Sequence, residues 1–103
     1  MCIYITNEKE GNMVHKTLWH TIELLAYKNG LSCSGLARLS GLDATTFNKS
    51  KQFAPDGTPR WPSCSTIAKI IDATNINLND FAKIYTIAEN NIKTKNNNVL
   101  HDK

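Results

Sequence analysis

Between Ala44 and Gln52 the sequence gathers Thr45, Thr46, Asn48, Lys49 and Gln52, with no acid among them. These are the groups that read base edges. An Asn or Gln amide pairs with adenine, a Lys donates to guanine, and a Thr offers its hydroxyl or packs on a thymine methyl. Ala44 can meet a thymine methyl in the same way. The candidate base-contacting set is therefore Ala44, Thr45, Thr46, Asn48, Lys49 and Gln52.

Such side chains read a duplex only if an element carries them into a groove. The run CSGLARLSGLDATTFNKSKQ, residues 33–52, has the grammar of two short helices joined by a tight turn. Ala37 is small enough to let the helices approach. Gly41 sits in the turn, where a positive φ is cheap only for glycine. Phe47 is an apolar anchor aimed at the core with Leu36 and Leu42. Asp43 is the expected N-cap of the second of these helices, Ala44 to about Lys51, through the amide of Thr45 or Thr46. With Phe47 inward, about 100° per residue sends Thr45, Lys49 and Gln52 outward, with Thr46 and Asn48 on the flanks. The same polar residues would also suit an ordinary solvated helix. The Ala, Gly and Phe spacing is what favours a helix-turn-helix that enters the major groove.

A groove reader also needs donors that fix its register on the phosphates. Lys51 and Arg60 supply charge. Ser32, Ser34, Ser63 and Ser65 supply hydroxyls next to helix N-terminal amides. Ser32 and Ser63 read equally as plain helix caps, and the two roles coexist. Trp61, between Arg60 and Pro62, is expected to pack its loop onto the core.

The rest of the chain reads as support. The spacing of Leu18, Ile22, Leu25 and Ala26, with Trp19 beside them, predicts a first helix that stops at Asn29 and Gly30. His15 and His20 are expected on its polar side. Residues 33–39 and 44–51 are the second and third helices. After a turn-rich loop through Pro55, Gly57 and Pro59, Ser63 or Ser65 caps a fourth helix carrying Ile67, Ile70 and Ile71. Leu78, Phe81, Ile84 and Tyr85 make a fifth. Phe81, Ile84, Tyr85 and Ile87 either close the core or supply a dimer contact. The expected layout is a flexible arm at 1–12, an all-α compact five-helix domain at 13–87, and a disordered Asn- and Lys-rich tail at 88–103.

Bulk composition sets the outer limits. The chain has 103 residues, 41% hydrophobic and 20% charged, with a net charge of +3, which allows one modest core and permits a polyanionic partner. Cys2, Cys33 and Cys64 are odd in number and widely spaced, so they read as reduced thiols. Neither they nor the histidines have metal-ligand spacing. No apolar run is long enough to span a membrane, and no signal peptide is evident, so a cytoplasmic location is expected. No phosphate loop or nucleophile–base pair is present. Enzyme activity, cofactors and small-molecule substrates are not expected.

The stretches LSCSGLARLSGLDATTFNKSK (31–51), PDGTPRWPS (55–63) and STIAK (65–69) resemble the lambda-repressor-like (Cro/XRE) helix-turn-helix family. They resemble in particular the N-terminal DNA-binding domains of LexA-type autoprotease phage repressors. The likeness covers about residues 18–87. It implies a five-helix lambda-repressor-like DNA-binding domain with the motif in helices two and three, binding double-stranded DNA as a transcriptional repressor and commonly as a homodimer. Ser50 stands where relatives often place an aliphatic residue, so the third helix is expected to pack less firmly there. Cys33 stands where relatives often carry a polar side chain. The β-rich peptidase domain of such repressors, with its serine and lysine pair, has no room in these 103 residues. A second reading belongs to another class: an antitoxin-like or remnant protein-interaction module on the same fold.

Overall fold

The computed structural model describes residues 13–101 of the chain, and the side chains of residues 13–94. The arm expected at 1–12, with Cys2, lies outside the described residues. Among the described residues the regular structure is all-helical: α1 (Met13–Lys28), α2 (Cys33–Leu39), α3 (Cys64–Ala73) and α4 (Leu78–His101). Among the described residues there is no strand, only an isolated antiparallel bridge between Phe53 and Pro59. No described helix is long and apolar enough to cross a membrane.

One local device ends three of the four helices. Gly30, Gly41 and Asn75 have φ of 70°, 80° and 62°. At each, the next amide reaches back to a carbonyl near the helix end: Leu31 to Ala26 at 2.9 Å, Leu42 to Ala37 at 2.8 Å, Ile76 to Ile71 at 3.2 Å. The amides of Gly30, Gly41 and Asn75 pair with Tyr27, Arg38 and Asp72. This is the Schellman arrangement, which satisfies carbonyls that a helix end leaves orphaned. The residue that follows each left-handed position is apolar, and Leu31, Leu42 and Ile76 all pack against the core. Starts are equally local. Ser32 accepts the amide of Gly35, and Ser63 that of Thr66. Asn77 accepts the Asp80 amide at 2.8 Å while Asp80 accepts that of Asn77 at 3.4 Å, a reciprocal cap for α4.

The core is built from Trp19, Ile22, Leu25 and Ala26 of α1, Leu36 and Ala37 of α2, Phe47, Ile70 of α3, and Phe81 and Ile84 of α4. α4 packs along α1, and α2 packs against both α1 and α3. Phe81 and Ile84 close the core, so of the four residues weighed as a dimer contact these two are spent, and Ile87 is the exposed one. Helix α4 continues past Ala88, which is fully buried. The boundary expected at 87/88 therefore falls inside a helix, because Ala88 extends the apolar stripe of Phe81 and Ile84 by one more turn.

Among the described residues there are four α-helices where five were expected. The segment expected as the third helix, 44–51, is a turn over residues 44–47, an extended Asn48 (ψ 150°) and one 3-10 turn at Lys49–Lys51. Two causes are visible. Side chains take over the local bonding: Asp43 Oδ1 accepts both the amide (2.9 Å) and the hydroxyl (2.7 Å) of Thr45, and the Thr46 hydroxyl donates to the Asp43 carbonyl at 2.6 Å. Such bonds compete with the helical ladder. Beyond Phe47, the next inward positions of a helix would be Ser50 and Lys51. Both are polar and exposed, so nothing anchors a longer helix.

Candidate nucleic-acid interface

Phe47 is buried, with Leu36 and Ala37 beside it in the core cluster. That fixes the segment around it. Thr45, Asn48 and Lys49 are exposed, and Ala44, Thr46 and Gln52 are half-buried. Because the backbone is not one helix, the expected outward face does not form a single stripe. Thr46 goes to one groove, Lys49 and Gln52 go to another, and Thr45 and Asn48 line neither.

The first groove, about 240 Å³, lies between the segment, residues 60–63 and the start of α3. Thr46, Lys51, Arg60 and Ser63 line it together with Trp61 and Thr66. Four of the twelve residues expected to touch DNA thus come together, drawn from two stretches of sequence, 46–51 and 60–63. No carboxylate lines this groove among the described residues. Ser63 Oγ accepts the Thr66 amide and donates to Thr66 Oγ1, both at 3.1 Å, so it caps α3 at the groove's edge.

The second groove, about 580 Å³, lies between α1 and α4 and takes Lys49 and Gln52, alongside Lys16, His20 and Asn91. Neither groove includes Ala44, Thr45, Asn48, Ser32, Ser34 or Ser65. Ser32 is engaged as the α2 cap, with Ser34 Oγ 3.2 Å from it, and Ser65 is exposed in the first turn of α3. The hydroxyl protons of Thr45 and Thr46 are already donated to Asp43. What these two threonines retain for a ligand is an acceptor lone pair and a methyl group.

Two carboxylates stand near the cations. Hydrogen bonds from the Thr45 amide and hydroxyl hold Asp43 below the usual carboxylate range, with a smaller effect from Lys51. The Thr58 hydroxyl and amide do the same for Asp56, with a smaller effect from Arg60. Both acids are turn-formers first. In the half-buried Cys33, burial pushes the thiol up and Glu23 adds to it.

Sequence reasoning missed what holds Arg60 in place. Residues 52–60 form a small hairpin: the Arg60 amide donates to the Gln52 carbonyl at 2.8 Å, that of Ala54 to Thr58 at 2.8 Å, and Gly57 (φ 90°) makes the bend. Its two ends rest on α1. His15 Nε2 lies 2.9 Å from the Gln52 carbonyl oxygen and 3.0 Å from that of Arg60. Trp19 Nε1 donates to the Arg60 carbonyl at 3.0 Å. Flanked by two acceptors, Nε2 must carry the ring proton; its 3.1 Å approach to Trp19 Nε1 is then donor beside donor, both aimed at one oxygen. His15 is buried, not on the polar side of α1. The missed signal was the spacing of His15, Trp19, Ile22 and Ala26, which is one helical stripe. Trp61 stands edge-on to the His15 ring at 5.2 Å yet remains 51% exposed, so it only partly packs the loop down.

Comparison with protein-family models, with curated proteins and with solved structures finds no match to this chain.

Proposed function

We propose that this protein is a sequence-specific double-stranded DNA-binding transcriptional regulator, a phage-type repressor head of lambda-repressor-like design. In this reading α2 and the 43–52 segment are the two arms of the helix-turn-helix. The observation that carries it is the groove in which Lys51 and Arg60 meet the hydroxyls of Thr46 and Ser63 without a lining carboxylate. Phosphate oxygens fit that chemistry through the two cations, Lys51 and Arg60, while the hydroxyl protons of Thr46 and Ser63 are already donated within the chain. Thr45, Asn48 and Lys49, exposed beside it, then meet the base edges. Asn48 is extended and Lys49 starts the 3-10 turn, so the reading residues reach out from a turn rather than from a regular helix.

Selection from random duplexes at several salt concentrations tests this. A defined sequence is enriched, and its binding outlasts the nonspecific fraction as salt rises. Enrichment of nothing sinks the proposal.

The half-exposed Phe53 and Trp61, both against His15, favour a second reading as an antitoxin-like protein-interaction module. A co-encoded growth inhibitor neutralised by the wild-type chain but not by Trp61→Ala decides for it.

A further inference from the structure

We infer that His15, a residue of α1 outside both arms of the motif, is a positioning residue for the DNA-binding surface; this rests on the DNA-binding reading. The two carbonyls that receive its Nε2 proton belong to Gln52 and Arg60, one expected at a base and the other at a phosphate. They are also the first and last residues of the hairpin, joined directly by the Arg60 amide on the Gln52 carbonyl at 2.8 Å. A single N–H therefore sets both ends of the hairpin at a fixed distance from α1. Trp19 shares the Arg60 carbonyl from the next turn of the helix.

The surroundings make this clamp rigid. His15 is 1% exposed, and its ring is bracketed by Phe53 at 4.9 Å and Trp61 at 5.2 Å. Its other nitrogen, Nδ1, is buried with no hydrogen-bond partner among the described residues. Leaving a buried ring nitrogen unpaired is costly. An apolar residue here would avoid that cost but would provide no donor, so the ring's use lies in the N–H that points at the hairpin. Arg60 itself is exposed, so its side chain takes its position from a backbone that His15 holds.

The test compares wild type, His15→Phe and His15→Gln in the full chain, with two readouts. The first is amide exchange by NMR. In His15→Phe the Arg60 amide should exchange about tenfold faster relative to the Ile84 amide in the core, the equivalent of one lost hydrogen bond. Gln, whose amide nitrogen reaches the same place as Nε2, should restore it. The second is the salt dependence of duplex binding per active molecule. Losing the Arg60 phosphate contact should lower the slope by about 0.9 in His15→Phe, and Gln should restore it. Mere loss of folded protein changes the active fraction and leaves that slope alone. Should His15→Phe not fold, His15→Asn, whose amide falls short of both carbonyls, replaces it. Unchanged Arg60 exchange overturns the inference, and so does faster exchange with an unchanged slope. If the wild type selects no duplex, the DNA reading falls with the functional half of this inference, while exchange still decides whether His15 holds the hairpin.

Discussion

Phe47 meets Trp19 edge-on, with ring centroids 6.4 Å apart and planes at 69°. Through this pair the irregular 43–52 segment is tied to α1 as well as to α2. Phe47 is its single deeply buried side chain, so the segment's position depends on it. Phe47→Ala should cost about 3–5 kcal/mol, read by urea unfolding, because a ring-sized cavity opens in the core beside Trp19. A loss under about 1 kcal/mol would mean that the segment is held by its turns alone.

Gly41→Ala isolates the backbone. Apart from its chain neighbours, nothing lies within 4 Å of the added methyl, so the cost comes from the positive φ of 80°. About 1–2 kcal/mol of destabilisation is expected. Asn75→Gly, at φ 62°, is the converse control and should be neutral or slightly stabilising. Equal effects of the two changes would contradict the left-handed geometry of these helix ends.

Acid should loosen the two turns that flank the cationic groove. Asp43 and Asp56 have carboxyls held below their ordinary values by hydrogen bonds to Thr45 and Thr58. A folded value below the unfolded one gives stability that is present above the unfolded pKa and lost as pH falls through the folded one. Stability should therefore decline from the ordinary carboxylate range downward. The Asp43→Asn, Asp56→Asn double variant should show a shallower decline in unfolding curves taken between about pH 6 and pH 2. An identical slope would remove these turns from the acid response.

The division between base and phosphate contacts makes its own prediction. Lys49→Ala should change which duplexes are selected, at about 1–3 kcal/mol of discrimination. Arg60→Ala should weaken all duplexes about equally and reduce the salt slope by about 0.9. The reverse pattern would exchange the two assignments.

Much of this was legible because it is local. Gly30, Gly41 and Asn75, each followed by Leu or Ile, mark helix ends by backbone sterics within a few residues. Ser32 and Ser63 mark helix starts through bonds that span three residues, whereas the equally local bonds of Asp43 make a turn rather than a helix. The core positions of Ile22, Leu25, Leu36, Ala37 and Phe47 follow from periodicity. The stretch after Asp43 was less legible. The polar pattern there suits a surface helix, and only side-chain competition at Thr45 and Thr46, with no second anchor beyond Phe47, breaks it.

The sequence by itself thus determined an all-helical architecture for the described residues, the C-terminal ends of α1, α2 and α3, most of the core and a basic, acid-free run of candidate contacts. Only the tertiary structure decided how those contacts are grouped. It put Lys49 and Gln52 in the lining of a different groove from Lys51 and Arg60, and it brought Arg60 into one groove with Ser63 and Thr46. It also turned His15 inward onto two carbonyls that lie 37 and 45 residues away. Local spacing holds no record of a bond across that distance, because its partners are backbone oxygens whose place is set by the packing of Phe47 and Trp19.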